Sequence, residues 1–300
     1  MKVFVSGASG FVGNEVVKEL LAHGHEVHAL VRQGSEKRVK EQERVEIFPG
    51  DCLHPEALAP AVAGCDAAVH LVGIIREFPG RGITFEGVHV EATQNVVDAT
   101  KAAGVRRYLH MSALGARPEP AVPYQMTNFR ADEYVINSGL TYTIFRPSII
   151  YGPEDQSINL FARHIRRLAF FPIIGDGMYQ LQPVPVWTIA QAFALALTLP
   201  QTENKIYDVG GPEPLTFNEV IDTIARVLKR KTKKFHQPVW TMQFAASLCG
   251  RFRWFPLTPG QLTMLMEGST CDPTAFFEDF GLTPEPFQDG LASYLPEKRE

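Results

Sequence analysis

The opening segment of the chain constrains the fold more than any other. Residues 1–6 (MKVFVS) are apolar and β-branched, which predicts a strand, and residues 14–23 predict a helix. Between them Gly7, Gly10 and Gly13 form a spaced-glycine loop. In a strand, loop and helix this pattern predicts a dinucleotide site, because the glycines permit a tight turn, close approach to a pyrophosphate and close helix packing. The helix N-terminus then offers N–H groups to the phosphates. The alternative is a glycine-rich turn that only joins the two elements.

Strands and helices alternate through the first half of the chain. Apolar runs predict strands at 1–6, 26–31, 45–48, 67–72, 107–111 and 141–146. Helical periodicity predicts helices at 14–23, 54–63, 85–103 and 124–137. This alternation predicts an α/β fold, a Rossmann-type doubly wound parallel sheet with a smaller C-terminal substrate lobe.

Proline becomes frequent after residue 147, which indicates a change of organisation. We expect residues 1–150 to form the dinucleotide-binding domain, completed by about 184–210, where a helix and a strand are predicted. Residues 151–183 and 211–300 are expected to form the smaller substrate or partner lobe.

Composition excludes several classes of function. A net charge of −4 gives no reason to expect a nucleic-acid partner. The longest apolar stretch, residues 187–199, is too short to span a bilayer. Because the first predicted strand begins at Met1, we expect no signal peptide and a cytoplasmic location. The four cysteines lack metal-ligand spacing, so we expect free thiols and no metal site; they are Cys52, Cys65, Cys249 and Cys271.

The predicted choice between NADP(H) and NAD(H) depends on Arg32. NAD sites usually carry an acidic residue at the end of the second strand, and here that position holds Arg32. A guanidinium suits a 2′-phosphate, so NADP(H) is favoured over NAD(H), with help from Lys37 and Arg38. The alternative is a solvated arginine at a strand end. Asp51 is placed to meet the adenine, and residues 71–73 the phosphates and ribose.

Several longer stretches resemble one superfamily. They are VFVSGASGFVG, GDCLHPEAL, HLVG, HMSALGA, FRPSIIYGPED and YDVGGPEPLTFNEVI. In order and spacing they resemble the extended and atypical short-chain dehydrogenase/reductases, the NAD-dependent epimerase/dehydratase-like superfamily. FPLTPGQLTMLMEGSTCD is similar to the C-terminal pattern of the group around the NAD(P)-binding accessory subunit of respiratory complex I.

The resemblance implies a catalytic set of Ser, Tyr and a Lys four residues after the Tyr. Ser112 and Tyr124 match the first two, whereas Asn128 holds the Lys position. An ammonium group would lower the tyrosine pKa, and neutral Asn128 supplies no charge. Arg130 lies about 200° round the helix from Asn128. The resemblance and the glycine loop together imply these cofactor contacts: Gly7, Ser9, Gly10, Phe11, Val12, Gly13, Arg32, Asp51, Cys52, Leu71, Val72, Gly73, Tyr124, Pro147 and Ile149.

Three functions follow from this resemblance. The first is an NADP(H)-dependent oxidoreductase with a weakened catalytic set, acting on a small or hydrophobic carbonyl or alcohol. Ser112 would then polarise the substrate oxygen and Tyr124 would exchange the proton. The second is a non-catalytic, NADPH-holding structural or assembly subunit of a complex I-like or membrane-associated assembly. The third is a nucleotide-sugar epimerase or dehydratase, which the missing Lys disfavours.

Residues 229–255 could contact a membrane or a protein complex. Residues 229–234 carry five positive charges in six positions. After them, large apolar residues recur at helical spacing, namely Trp240, Phe244, Leu248, Phe252 and Phe255. One interpretation is a solvated helix end followed by a helix that buries its apolar face in the core. The other is a surface for anionic lipid or a partner, which would place the protein at the inner face of a membrane. His89 and His110 are expected to be core or surface histidines without a catalytic role.

Overall fold

A computed structural model describes residues 1–250 and 257–295. Its strands, numbered along the chain, are β1 (Lys2–Ser6), β2 (Glu26–Val31), β3 (Glu46–Pro49), β4 (Ala67–His70), β5 (Arg107–Met111), β6 (Thr141–Pro147), β7 (Ile150–Tyr151), β8 (Phe170–Ile174), β9 (Gln180–Leu181), β10 (Val184–Pro185), β11 (Lys205–Val209), β12 (Leu215–Thr216) and β13 (Lys233–Gln237). Its helices are α1 (Phe11–Ala22), α2 (Leu58–Val62), α3 (Ala92–Ala102), α4 (Pro123–Ile136), α5 (Ile158–Arg167), α6 (Val186–Ala196), α7 (Phe217–Val227), α8 (Val239–Cys249), α9 (Pro259–Glu267), α10 (Thr274–Phe280) and α11 (Phe287–Tyr294).

The first of two structural units contains the predicted parallel sheet. It comprises Met1–Pro147, Val186–Asp208 and Thr274–Leu282. Seven strands lie in the order β11-β6-β5-β4-β1-β2-β3, and β1 to β6 pair in parallel. The predicted doubly wound fold is therefore confirmed. The strand order reverses between β1 and β4, and a ligand of such a sheet binds in the crevice beyond the carboxyl ends at that point.

Burial on both faces explains the apolar sequences of the central strands. Every residue of β4 is buried, as are residues 3–6 of β1. On one face a continuous core of residues from the strands and from α2, α3 and α4 includes Phe4, Ala68 and Tyr108. On the other face α1 packs against α6. Helices therefore cover both faces of the sheet, as a parallel sheet requires.

Helix α10 belongs to the first unit, although the sequence places it in the C-terminal lobe. Its Phe276 and Phe280 lie 6.3 and 5.6 Å from the ring of Phe145 in β6, measured between centroids. The hydroxyl of Tyr207 in β11 donates to the carboxylate of Asp279 at 2.6 Å. These aromatic contacts bury α10 against the sheet edge, because two rings of one short helix face the same strand.

The second unit comprises Ser148–Pro185, Val209–Pro273 and Thr283–Glu300. Its described residues form three two-stranded sheets, namely β7 with β10, β9 with β12, and β8 with β13. Helix α7 begins at a capping box, in which the Thr216 hydroxyl accepts from the Glu219 backbone and the Glu219 carboxylate accepts from the Thr216 backbone. No helix in the described part of the chain is both long and apolar enough to cross a membrane.

Element boundaries differ from the sequence prediction in several places. The predicted helix 85–103 begins as a π-helix (Glu86–Glu91) and continues as α3. The helix predicted at 54–63 is a 3-10 turn followed by α2. The predicted amphipathic helix is α8, which ends at Cys249; Phe252 and Phe255 lie outside the described residues. π-Helical turns are frequent at functional sites, and this one carries His89.

Candidate dinucleotide-binding site

The glycine loop joins β1 to α1 at the carboxyl edge of the sheet. Gly7 has a φ of +84°, a left-handed conformation that favours glycine, and its carbonyl accepts from the Gly10 backbone at 3.0 Å. A Cβ on Gly13 would lie 2.0 Å from the Gly7 carbonyl oxygen. The loop and the first turn of α1 therefore fit together only while Gly13 lacks a side chain.

Helix α1 presents unsatisfied backbone donors at its N-terminus. Gly10 is the N-cap and makes no side-chain capping bond, and the first turn contains no acidic residue. Ser9 and Phe11 flank this end and are partly exposed, whereas Val12 is buried. The first N–H groups of a helix need an acceptor, and the helix dipole favours an anion there. The loop therefore fits the pyrophosphate of a dinucleotide.

A basic segment follows β2 and is held to the start of α1. Arg32 is exposed directly after β2. The buried Asn14 of α1 donates to the Arg38 carbonyl at 3.0 Å and accepts from the Lys40 backbone at 2.9 Å. The Glu36 carboxylate accepts from the Gly34 backbone at 3.0 Å within the same turn. Arg32, Lys37 and Arg38 thus lie on one anchored loop, and all three are exposed.

The residues predicted after β3 and β4 follow strands of the same sheet. Asp51 accepts from the Leu53 backbone at 3.1 Å, which shapes the turn after β3. Cys52 is buried, and burial raises the pKa of its thiol to about 12, so the thiol is neutral. After β4, the Leu71 backbone donates to the Ser6 carbonyl at 3.0 Å, and the chain then emerges to a partly exposed Val72 and an exposed Gly73.

The Ser112 hydroxyl points to a buried carboxylate. Ser112 follows β5 and donates to Oδ2 of Asp132 in α4 at 3.0 Å. The same oxygen accepts from Nε of Arg146 in β6 at 2.8 Å. Asp132 is 0% exposed, and burial raises its pKa to about 6 even though Arg146 and the Ser112 hydrogen bond act to lower it. The hydroxyl thus links β5, α4 and β6.

A row of buried polar groups continues from Asp132 beneath the glycine loop. Ser6, His70 and His110 are register neighbours on β1, β4 and β5. Ser6 Oγ lies 2.6 Å from Nδ1 of His70, and the His70 and His110 rings stack with centroids 5.5 Å apart. Nε2 of His110 lies 3.6 Å from Oδ1 of Asp132. Burial lowers the pKa of His70 to about 3 and that of His110 well below its ordinary value, so both rings are neutral.

Tyr124 opens α4 and lies against His89. The ring centroids are 5.4 Å apart in an edge-on contact, and burial raises the pKa of Tyr124 to about 12. Asn128 uses its amide to donate to the Tyr124 carbonyl at 2.8 Å. Burial lowers the pKa of His89 to about 4, so this ring is neutral as well. Arg130 pairs with Glu86 at 2.7 Å on the surface and does not replace the missing Lys.

The remaining predicted contacts lie near the unit boundary. Pro147 ends β6 in the first unit, and its carbonyl accepts from the Leu114 backbone at 3.0 Å. Ile149 belongs to the second unit, where its carbonyl accepts from the Val184 backbone at 3.0 Å. Within the described ranges no cluster of three or more His, Cys, Asp or Glu residues could hold a metal ion.

Sequence reasoning missed Asn14, His70 and Asp132. Asp132 follows Tyr124 and Asn128 at intervals of four, which places all three on one face of α4, and this spacing could have identified it. His70 carries a weaker signal, a polar residue that ends an otherwise apolar strand. The role of Asn14 depends on a loop that returns to α1 and has no local signature.

The fold and the glycine loop are those of a protein that binds a pyridine nucleotide. The model of the NAD(P)H-binding family matches residues 7–165, and the chain belongs to this family. The resemblance inferred from the sequence motifs is confirmed.

Curated relatives include subunits of respiratory complex I. The chain is 24% identical to the mitochondrial NADH-ubiquinone oxidoreductase 40 kDa subunit of Neurospora crassa over 98% of this chain and 79% of that protein. It is 29% identical to the mitochondrial NADH dehydrogenase [ubiquinone] 1 alpha subcomplex subunit 9 of Arabidopsis thaliana over 75% of this chain. The match spans 57% of the Arabidopsis protein, less than two thirds of its length.

Solved structures with the same fold include an enzyme. UDP-glucose 4-epimerase of Thermus thermophilus, in complex with NAD, superposes with a TM-score of 0.77 at 23% identity. The superposition covers 97% of each chain, so the fold is shared along nearly its whole length.

Replacing Gly13 by Ala should weaken dinucleotide binding. The new Cβ must displace the Gly7 carbonyl, which moves the loop and the first turn of α1 apart. We expect at least about tenfold weaker binding of pyridine nucleotide by calorimetry and a loss of roughly 1–3 kcal/mol in unfolding free energy. Gly80→Ala is the matched control, because a Cβ there meets no atom within 4 Å. Equal affinity in both variants would contradict this geometry.

The buried histidines should make the fold sensitive to acid. His70 and His89 have folded pKa values of about 3 and 4 against 6.5 for a free histidine. Between the folded and the unfolded pKa of each histidine, the unfolded chain binds more protons than the folded one. The free energy of unfolding is therefore greatest above about pH 6.5 and decreases as the pH falls. Asp132, whose pKa is raised from 3.8 to about 6, has the opposite effect on the pH dependence. It is one group against two histidines, so the net effect is still a loss of stability in acid.

Urea unfolding measured between about pH 4 and pH 7 tests this linkage. His70→Gln should flatten the dependence of unfolding free energy on pH by about one bound proton, or roughly 1.4 kcal/mol per pH unit. His54→Gln, at an exposed position, serves as the control and should leave the slope unchanged. A wild-type protein whose stability is constant across this range would rule out buried neutral histidines.

Proposed function

We propose that this protein holds NADP(H) as a component of a protein assembly and does not turn it over by short-chain dehydrogenase chemistry. The main support for this proposal is the hydrogen bond that Ser112 donates to Asp132. The glycine loop, the open N-terminus of α1 and the basic loop after β2 fit a bound dinucleotide. Of the groups that would act on a substrate beside it, Ser112 donates to Asp132, and neutral Asn128 holds the Lys position that would assist Tyr124.

The Ser112 hydroxyl has only one hydrogen to donate, and Asp132 accepts it. With a pKa of about 6, Asp132 is largely ionised at neutral pH, and hydrogen bonds to a buried carboxylate are among the stronger ones. Releasing Ser112 to polarise a substrate carbonyl would leave one less donor on a carboxylate that is 0% exposed. Ser112 is therefore better suited to hold β5 and α4 together than to stabilise a reacting oxygen.

Tyr124 lacks the charge that would make it a base. A pKa of about 12 leaves roughly one phenolate in 100,000 molecules at pH 7. In the dehydrogenase pattern an ammonium four residues later favours the phenolate, whereas Asn128 donates its amide to the Tyr124 carbonyl. His89 beside the ring is neutral. Oxidation of an alcohol, which requires this base, is the direction most strongly disfavoured.

The assembly role is proposed from similarity and from the cofactor loop. The Neurospora relative, which aligns with nearly the whole chain, is named as a subunit of NADH-ubiquinone oxidoreductase. A cofactor that binds only the native state stabilises a fold without any turnover. NADP(H) is the proposed cofactor because Arg32, Lys37 and Arg38 lie together on one surface loop, where they suit a 2′-phosphate.

A slow carbonyl reductase is the second candidate. Tyr124 is partly exposed and retains its proton at neutral pH. Its hydroxyl could therefore donate that proton to a substrate carbonyl while the carbonyl is reduced to an alcohol. Hydride from the nicotinamide would complete that reduction. The rate would lack the contributions of both a polarising serine and a neighbouring ammonium.

Arg32→Glu should change the choice of cofactor. A carboxylate in place of the guanidinium repels a 2′-phosphate and accepts from a 2′-hydroxyl. We expect NADPH binding to weaken by roughly tenfold to a hundredfold, while NADH binding is unchanged or improves, both measured by calorimetry. Lys101→Glu, the same charge reversal at an exposed position of α3, should alter neither affinity. Equal losses for both nucleotides would refute a 2′-phosphate contact.

Turnover separates the two candidate functions. We expect the purified protein to retain NADPH and a panel of aldehydes, ketones and quinones to leave its absorbance unchanged. Asn128→Lys should remain inactive, because Ser112 still donates to Asp132 in that variant. Substrate-dependent consumption of NADPH that disappears in Tyr124→Phe would overturn the holding function and establish the reductase.

A further inference from the structure

Helix α8 in the second unit exposes a stripe of large apolar side chains. Trp240, Phe244 and Leu248 are 67%, 68% and 60% exposed and recur every four residues, so they lie on one face. Ala246 is the one residue of α8 that is buried. The helix packs against α9 with its other side. An amphipathic helix normally buries its apolar stripe, and here the largest side chains of the stripe face outward.

The neighbouring sheet of β8 and β13 continues the apolar surface. Phe170 and Phe235 are 52% and 63% exposed. Lys233 pairs with Phe170 in register, and residues 233 and 235 point to the same side of β13, so a lysine lies between two exposed aromatic rings. Leu168, just before β8, is also exposed. Six of the eleven exposed large apolar residues in the described chain thus lie in two short segments.

Positive charge is concentrated in the same two segments. Residues 163–174 and 229–250 contain eight Lys and Arg and no Asp or Glu. Because the whole chain carries −4 and these segments carry +8, the rest carries −12. Lys234 pairs with Asp222 at 2.6 Å, while Arg163, Arg167 and Lys231 are exposed. Eight of the 29 Lys and Arg residues thus lie, without any acidic residue, in the two segments that carry the exposed aromatic rings, whereas the rest of the chain is acidic.

We propose that this surface docks on an anionic lipid bilayer. We define the docking face by six apolar residues, Leu168, Phe170, Phe235, Trp240, Phe244 and Leu248, and by the Lys and Arg residues of 163–167 and 229–234. The apolar side chains enter the boundary between headgroups and acyl chains, and the cations contact lipid phosphates. Trp suits this boundary because its ring is apolar while its indole N–H can face water, and Phe and Leu supply the apolar face of such a surface.

The charge pattern decides among possible occupants. A second copy would bring two surfaces of the same sign together, and like charges across an interface oppose association. A nucleic acid would match the charge and stack on aromatic rings, but Leu168 and Leu248 offer no stacking face. An anionic bilayer satisfies both the cations and the aliphatic side chains. The inference rests on the second unit alone and does not depend on the proposed cofactor function.

Vesicle co-sedimentation of the full-length protein tests the docking face. We expect binding to vesicles of phosphatidylglycerol and phosphatidylcholine at low salt, and loss of binding at high salt or with phosphatidylcholine alone. Trp240→Ala/Phe244→Ala/Leu248→Ala should weaken binding by at least about tenfold. Lys231→Glu/Lys233→Glu should weaken it by at least about 25-fold, since each basic residue near an anionic surface contributes roughly fivefold.

Matched controls separate a docking face from a general surface effect. Ile75→Ala with Met178→Ala removes exposed apolar side chains elsewhere, and Lys18→Glu with Lys101→Glu reverses charges elsewhere. Both control proteins should bind as the wild type does. Absence of vesicle binding, or binding that the two docking-face variants retain, would overturn the proposal. So would a dimer that the triple variant dissociates, or binding of single-stranded DNA without binding of vesicles.

Discussion

The contact between Gly13 and the Gly7 carbonyl sets the geometry at the carboxyl edge of the sheet. With no Cβ in this contact, α1 starts directly above the end of β1 and aims its free N–H groups at the crevice. The next residue, Asn14, uses the same position to hold the backbone of Arg38 and Lys40. One close approach therefore orders both the phosphate-binding turn and the basic loop beyond β2.

The polar row below this edge gives the physical basis for the proposal that the site holds a cofactor without transforming a substrate. Neutral His70 and His110 and the carboxylate of Asp132 are buried, and unpaired polar groups in such positions are costly. Ser112 and Arg146 satisfy one oxygen of Asp132. The serine thus serves the junction of β5, α4 and β6. Removing it from that junction for chemistry would weaken the packing that positions the crevice.

Local sequence patterns predicted the first unit well and the interactions between distant residues poorly. The glycine spacing and the apolar strands follow from short-range rules, and the parallel sheet agrees with them. The hydrogen bond between Ser112 and Asp132 joins residues twenty positions apart; the spacing along α4 indicates the face on which Asp132 lies but does not identify Ser112 as its partner. The sequence prediction assigned α10 to the C-terminal lobe, whereas the helix packs in the first unit. This packing depends on contacts of Phe276 and Phe280 with Phe145, which is distant in the sequence. The stripe of α8 was visible in sequence, but its exposure was not.

Holding a nucleotide without consuming it has a thermodynamic consequence for an assembly. A ligand at a hundred times its Kd stabilises the native state by about 2.7 kcal/mol, and this contribution falls when the ligand becomes scarce. Turnover would make the occupancy of the site depend on substrate. Under the proposed function, with Ser112 bound to Asp132 and the pKa of Tyr124 raised to about 12, occupancy would depend on nucleotide concentration alone. In the proposed function, the missing charge at Asn128 would therefore both slow catalysis and keep the occupancy of the site more constant.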